Sequence, residues 1–293
     1  MSAQPTPARH KKITVQSLQA MKARGEKISM LTAYDYPTAL AMERAGLDII
    51  LVGDSLGMVV LGYESTLPVT MEDMLHHCKA VARGIKTVLA VGDMPFLSYQ
   101  ISPEQAVRNA GRFLQEGGMD AVKLEGGANR LPAIKAILGA GIPVMGHLGL
   151  TPQSVHQMGG YGLQAKTSAA ALQLLRDAQL LQDAGCFALV LESVPRELAQ
   201  LASERLNIPT IGIGAGPDCD GQVLVTHDML GLFDRFRPSF VKRYAEVQTV
   251  MVAAFRAYKD DVLKGQFPTP DQCRSMEQDA WRNLLQELEI SEK

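Results

Sequence analysis

Short apolar runs alternate with longer stretches of helical periodicity through the middle of the chain. The runs cover residues 28–35, 48–55, 87–95, 120–127, 142–150, 186–194 and 209–216, and a weaker one covers 222–230. Nearly continuous apolar strands separated by helices indicate a parallel sheet that is covered on both faces. Eight such units over ~200 residues predict a (β/α)8 TIM barrel. A doubly wound open sheet is the alternative.

Capping residues support the helix boundaries. Ser102, followed by Pro103 and by a glutamine at position 105, is typical of a helix start, as is Thr70 followed by acidic residues. The periodic stretch 169–184 ends before a glycine, which is typical of a helix end.

Helices are also predicted outside the eight units. One covers Val15–Arg24, before the first strand, and another covers 246–264 as the last helix of the barrel. Beyond it, apolar residues between 276 and 288 share one helical face. The predicted organisation is a single barrel domain over residues 1–264, including the N-terminal helix, followed by a helical extension over 265–293.

Composition excludes several classes of protein. Of the 293 residues, 46% are hydrophobic and 20% are charged, which is typical of a folded domain and not of a disordered chain. The net charge of −2 leaves no basic excess for binding nucleic acid or an anionic membrane. The four cysteines form no C-x-x-C pair, the start lacks a signal-peptide core, and the best apolar stretch is too short for a membrane span. We therefore expect a soluble cytoplasmic protein.

Polar residues stand where five of the predicted strands end. They are Asp54, Asp93, Glu125, His147 and Glu192. In parallel α/β folds the carboxyl ends of the strands gather the reactive groups. Carboxylates that meet in one poorly solvated site repel each other, so a metal ion or a cationic side chain must offset the repulsion. The alternative interpretation is that each carboxylate caps the helix that follows it.

Lys123 lies two residues before Glu125 in a predicted strand, so both side chains share one face. A lysine inside an apolar strand needs a charged partner, and Glu125 is the partner that this spacing suggests. The candidate metal ligands are all oxygens, which favours Mg²⁺. Such an ion suits a 2-oxo acid, and a carboxylate outside the metal shell could act as the base that removes its proton.

Longer motifs resemble a known family. The blocks cover residues 31–70, 122–127, 144–161, 189–195, 208–216, 220–232 and 237–244, and include VGDSLG and GHLGLTPQS. They are similar to the ketopantoate hydroxymethyltransferase family over about residues 12–262, in order and without large gaps. One departure is Gly92, where family members carry alanine or a bulkier residue.

The resemblance implies a (β/α)8 barrel similar to the phosphoenolpyruvate/pyruvate-binding enzymes. It implies transfer of a one-carbon unit from 5,10-methylenetetrahydrofolate to 3-methyl-2-oxobutanoate, which gives 2-dehydropantoate and tetrahydrofolate for pantothenate synthesis. It also implies a large homo-oligomer, typically a decamer.

Residue roles carry over to matching positions. The resemblance places the Mg²⁺ ligands at Asp54, Asp93 and Glu125, and the general base at Glu192. It places contacts with the oxo acid at Asp54, Ser55, Asp93 and Lys123, and His147 in the same pocket. Three of these roles have structural alternatives: Lys123 as an ion pair with Glu125, Ser55 as a helix cap, and His147 as a satisfied core residue.

Two other functions remain open. A carbon–carbon lyase of the isocitrate-lyase type, acting on a 2-hydroxy acid, would share the barrel, the magnesium and the enolate chemistry, but no cysteine here sits in the K-x-C-G-H loop of such lyases. A barrel that binds 2-oxo acids without turning them over is the second alternative, and the glutamate at the base position argues against it.

Overall fold

The computed structural model describes residues 11–236 and 238–291. Eight parallel strands form a closed barrel in chain order, as the apolar runs predict. The strands are β1 Ile28–Thr32, β2 Ile49–Val52, β3 Leu89–Asp93, β4 Ala121–Glu125, β5 Val144–Gly149, β6 Ala188–Glu192, β7 Thr210–Ile213 and β8 Gly221–Leu224. The barrel excludes the open-sheet alternative, because β1 pairs with β8.

Helices connect most of the strands, precede the first and follow the last, with boundaries close to those predicted from the capping residues. They are α1 Val15–Ala23, α2 Tyr36–Ala45, α3 Leu56–Val59, α4 Met71–Ala82, α5 Pro103–Gln115, α6 Leu131–Gly139, α7 Val155–Met158, α8 Ser168–Ala184, α9 Arg196–Arg205, α10 Thr226–Met229, α11 Val247–Leu263 and α12 Gln278–Ser291. Thr70 forms a full capping box with Asp73, and Gly185 ends α8 in the left-handed conformation.

The strand pleat separates two apolar clusters. Side chains that point out of the barrel, such as Val122 and Leu124, pack beneath the surrounding helices. Inward side chains near the amino ends of the strands, such as Ala121, pack with Leu18 and Met21 of α1. Helix α1 therefore closes the amino-terminal end of the barrel, and only the carboxyl-terminal end is left for a site.

Gly92 lies on β3 at a position where the packing leaves no room for a side chain. A Cβ atom at this position would lie 2.3 Å from the ring of Phe113 on α5 and 3.2 Å from Met119. Both side chains are buried, and the Phe113 ring occupies the space that a side chain at position 92 would need. The outer face of β3 next to the candidate ligand Asp93 is therefore packed by a side chain of α5.

The chain divides into two compact units, one up to Tyr244 and one from Ala245 onward. The second unit contains α11 and α12, close to the helices predicted for 246–264 and for the tail. The predicted domain boundary at residue 264 stays a prediction. Within the described part of the chain, no helix has both the length and the apolar character needed to cross a membrane.

Candidate active site

The register of the barrel brings the predicted polar residues together at its carboxyl end. Asp93 pairs with Lys123 across β3 and β4, and Glu125 pairs with His147 across β4 and β5. On β6, Glu192 stands beside the end of β5. These residues line one cavity together with Asp54. The strand-end pattern in the sequence therefore identifies a real cluster.

Helix capping does not explain the four carboxylates. None of the four is the N-cap of the helix or turn that follows its strand. The N-cap residues are Ser55 for α3, Ser102 for α5, Gly127 for the short 3-10 turn before α6, and Pro195 for α9. Asp54, Asp93 and Glu125 are instead almost fully buried in the barrel mouth. Carboxylates in such surroundings carry a large desolvation cost, which indicates a functional cluster.

Lys123 pairs with Asp93 and not with Glu125, so the partner suggested by the sequence is wrong. The Nζ atom of Lys123 donates to Oδ1 of Asp93 at 2.6 Å, and both side chains are about as buried as the apolar core. Burial opposes the lysine charge, but the charges of Asp93, Glu125 and Asp54 outweigh it and raise the pKa of Lys123. Lys123 is therefore a permanent cation at the floor of the cavity.

The negative charge around this cation is not fully offset. Burial, and then the charge of Asp93, raises the pKa of Asp54 to about 7, although Lys123 lowers it. Burial, and then the charge of Asp54, raises the pKa of Glu125 well above its ordinary value. These shifts are typical of a site that lacks a further positive charge or a bound proton.

Gln153 connects two of the carboxylates and was not identified from the sequence. Its Nε2 donates to Oδ2 of Asp54 and to the carbonyl of Met94, both at 2.9 Å. Its backbone N–H donates to Oε2 of Glu125 at 3.0 Å. Its own side-chain oxygen accepts from the Tyr99 hydroxyl at 2.8 Å. The TPQ segment after β5 was part of the recognised motif, but nothing in its spacing shows that this amide reaches back to β2 and β4.

His147 lies between two carboxylates. Its Nε2 is 3.2 Å from Oε2 of Glu192, and its Nδ1 is 3.7 Å from Oε1 of Glu125. Burial, and then the charge of Lys123, lowers the pKa of His147 well below its ordinary value, so the ring is neutral. A neutral ring at this position separates the two carboxylates without adding charge to the cavity.

Burial also raises the pKa of Glu192 to about 7, against a lowering by Lys123. The backbone around this residue is tightly constrained. A Cβ at Gly149, which has a φ of +94°, would lie 2.2 Å from the Glu192 carbonyl, and Ser193 has a φ of +47°. Left-handed backbone at a non-glycine residue costs of order 1 kcal/mol or more and is common next to reactive groups. The backbone that carries Glu192 is therefore held closely against the end of β5.

Ser55 is the N-cap of α3 by position, but its side chain makes no capping hydrogen bond. Its Oγ lies 2.9 Å from the hydroxyl of Tyr34, which follows β1 and is buried. Ser55 also lines the cavity. Its hydroxyl is therefore oriented by Tyr34 towards the site, and the capping interpretation does not hold.

The predicted magnesium ligands fit the ion by their chemistry. All three offer oxygens, and Oε1 of Glu125 is buried without a hydrogen-bond partner. Within residues 11–236 and 238–291, however, no three His, Cys, Asp or Glu side chains already surround a point that would hold an ion. The ligand set is thus an assignment from donor type and charge, and it stays a prediction.

The parallel barrel is also found in solved structures that are similar to the chain in fold. One is a phosphonopyruvate hydrolase in complex with oxalate and Mg²⁺, with a TM-score of 0.60, 12% identity, and coverage of 95% of this chain and 97% of that chain. Another is 2,3-dimethylmalate lyase, described as a member of the PEP mutase/isocitrate lyase superfamily, with a TM-score of 0.56 and 15% identity over 94% of this chain and 97% of that chain. At these identities the likeness shows the fold alone.

Sequence comparison is more specific. A profile of the ketopantoate hydroxymethyltransferase family matches residues 12–270, and the chain belongs to this family. The 3-methyl-2-oxobutanoate hydroxymethyltransferase of Moorella thermoacetica is 60% identical over 261 residues, which cover 89% of this chain and 97% of the relative. That of Dehalococcoides mccartyi is 55% identical over 275 residues, covering 94% and 96%. The family membership predicted from the motifs is therefore confirmed.

Proposed function

We propose that this chain transfers a hydroxymethyl group to 3-methyl-2-oxobutanoate, with 5,10-methylenetetrahydrofolate as the one-carbon donor, to give 2-dehydropantoate and tetrahydrofolate. The observation that carries the proposal is the barrel mouth, where Glu192, Lys123 and the three acidic side chains line one cavity in a chain of this family. Relatives at 55–60% identity are named for this activity, which favours it over the lyase alternative.

The floor of the cavity suits a small 2-oxo acid. The substrate carries a negative carboxylate and a ketone oxygen, and Lys123 and the Ser55 hydroxyl are donors directed into the cavity. Asp54, Asp93 and Glu125 would hold a magnesium ion, which when bound supplies Lewis acidity to the oxygens of the oxo acid. The excess negative charge that raises the pKa values of Asp54 and Glu125 supports a cation in this position.

Glu192 is the base in this proposal. A carboxylate with a pKa of about 7 is a far stronger base than an ordinary glutamate, and about half of it is ionised at neutral pH. It takes the proton from C3 of the oxo acid, and the electron pair left at C3 is delocalised onto the ketone. That carbon then bonds to the methylene carbon of the folate, and a water molecule supplies the hydroxyl group on the same carbon. The bonds from this carbon to N5 and N10 break, and the two nitrogens receive the proton taken from C3 and one proton from the water, which gives tetrahydrofolate.

Proton NMR of 3-methyl-2-oxobutanoate in D₂O tests the first half of this reaction. We expect the wild-type protein to remove the C3–H signal without folate when Mg²⁺ is present, and not when EDTA replaces it. Adding 5,10-methylenetetrahydrofolate should then give 2-dehydropantoate. Binding of the oxo acid with neither exchange nor product would favour the non-catalytic alternative, and cleavage of a 2-hydroxy acid would favour the lyase.

A further inference from the structure

The catalytic cavity has an outer part that the oxo acid does not need. Apart from the buried charged residues, the cavity has an apolar and aromatic lining, several members of which are exposed to solvent; it is formed by Met58, Val59, Tyr161, Phe233, Phe236 and Phe240. A five-carbon acid that binds the floor through its oxygens has little surface left for these rings. Aromatic walls are suited to a flat ring system, which buries its faces against them. The outer part is therefore shaped for a second, larger ligand.

Asp228 is a carboxylate within this apolar rim. It lies on α10, just after β8, and lines the same cavity. Among the described residues, its side chain accepts no hydrogen bond. Burial raises the pKa of Asp228 to about 6, and the charge of Arg243 lowers it only in part. At neutral pH the rim therefore holds an anion whose oxygens await hydrogen-bond donors.

Asp228 and the residues of the substrate floor line the same cavity. The charges of Asp228 and Asp54 both act on the hydroxyl of Tyr34, after burial as the first cause, and raise its pKa. That hydroxyl is 2.9 Å from Oγ of Ser55. A ligand that binds to Asp228 therefore lies in the same cavity as the oxo acid.

We propose that Asp228 binds the pterin ring of 5,10-methylenetetrahydrofolate, accepting hydrogen bonds from its N3–H and its 2-amino group. The inference rests on the proposed function and assigns a site to its co-substrate. The two donors are adjacent on one edge of the pyrimidine ring. They can form two parallel hydrogen bonds with one carboxylate, as an arginine guanidinium group does. The methylene carbon lies at the other end of the bicyclic ring, and this orientation directs it to the floor where Glu192 stands.

A second pocket, beside the ends of β4 and β5, fits the pterin less well. It also contains a carboxylate, Asp177. Asp177 already accepts from the backbone N–H of Ala128 and from the amide of Gln173, both at 3.1 Å. Its lining includes six amide side chains and only two aromatic ones among the described residues, Phe96 and Tyr99. The unsatisfied carboxylate and the aromatic walls occur together at Asp228.

The Asp228→Asn variant tests the assignment, because an amide nitrogen would face the pterin donors. We expect the KM for 5,10-methylenetetrahydrofolate to rise at least tenfold, while C3–H exchange of the oxo acid without folate stays within twofold of wild type. The exchange reaction also shows that the variant is folded and holds its oxo acid. The matched control is Asp183→Asn, which changes an exposed carboxylate on α8 that bonds only to Gln179 in its own helix; its KM should not change.

A folate analogue lacking the 2-amino group gives a second readout. It should inhibit the wild-type enzyme at least tenfold more weakly than tetrahydrofolate, and the two should inhibit Asp228→Asn equally, because the lost partner is the same. An unchanged folate KM in Asp228→Asn would overturn the pterin assignment, as would loss of the exchange reaction in that variant. If the wild-type protein neither exchanges the proton nor forms product, it is the proposed function itself that fails.

Discussion

The two ends of the barrel interior are built from the same strands and bury opposite kinds of side chain. On β4, the three inward residues from the amino end to the carboxyl end are Ala121, Lys123 and Glu125. The first packs against the apolar side chains of α1, and the other two lie in the charged floor. One strand therefore changes from core to site within five residues, because the pleat keeps its even-numbered side chains in the outer core throughout.

The two ends differ in what they contribute to stability. At the amino end, apolar burial stabilises the barrel by roughly 25 cal/mol for each Å² removed from water. At the carboxyl end, burial raises the pKa values of Asp54, Glu125 and Glu192, which means that the folded state disfavours their charges. Apolar burial at the amino end stabilises the fold, whereas the buried charges at the carboxyl end destabilise it and provide the reactive groups. Changes at each end should therefore separate stability from activity.

The largest expected effect is that of Glu192→Gln. Removing a general base lowers a rate by about 10²–10⁴-fold. We expect a loss of this size in C3–H exchange, with an unchanged or higher melting temperature, because the buried charge is gone. The matched control is Glu197→Gln on the exposed face of α9, which should change neither quantity. Normal exchange in Glu192→Gln would show that another group takes the proton.

Leu18→Ala should do the reverse at the amino end. Leu18 is fully buried on α1, and truncation of such a residue costs about 2–5 kcal/mol of unfolding free energy. Denaturant unfolding measures this loss, and the exchange rate per folded molecule should stay at the wild-type value. Leu172→Ala on α8, where the side chain is 48% exposed, is the control and should cost less than about 1 kcal/mol. A fall in the rate of folded Leu18→Ala would show that the two ends are coupled.

This contrast also explains what could be predicted from the sequence. The eight strands are strong apolar runs, and the strand-end rule then identifies Asp54, Asp93, Glu125, His147 and Glu192 without tertiary information. The eighth strand ends at Leu224, well before the end of its run at residue 230, because Thr226 already starts α10. The local sequence pattern was sufficient to predict features that depend on a single strand.

The contacts between strands could not be predicted. The partner of Lys123 is on the neighbouring strand β3, and this depends on the register of the sheet and not on spacing along β4. Gln153 reaches Asp54 across 99 positions of sequence. Neither contact leaves a periodic signal, so both required the three-dimensional arrangement.

Gln153→Ala should have an intermediate effect that is confined to the carboxyl end. The variant removes the amide that donates to Asp54 and keeps the backbone N–H that donates to Glu125. Removal of a group that supports a metal ligand weakens metal binding about 10–100-fold. Isothermal titration with Mg²⁺ measures this directly and does not depend on turnover. Gln179→Ala, at an exposed glutamine on α8, is the control. An unchanged magnesium affinity would mean that Gln153 does not position the ligands.

The smallest effect is a graded one, the dependence of the exchange rate on pH. Glu192 must be ionised to accept a proton, and burial raises its pKa to about 7. The rate should therefore fall as the pH decreases through 7, by about tenfold for each further unit, whereas an ordinary glutamate would remain active down to about pH 4.5.

The raised pKa of Glu192 has the opposite consequence for stability. Between about pH 4.5 and 7, the glutamate is ionised in the unfolded chain and still protonated in the folded chain. The free energy of unfolding should therefore decrease as the pH rises from about 4.5 to about 7. Glu192→Gln should flatten the stability profile there, and a wild-type exchange rate that is constant between pH 5 and 8 would show that the base is not a buried carboxylate.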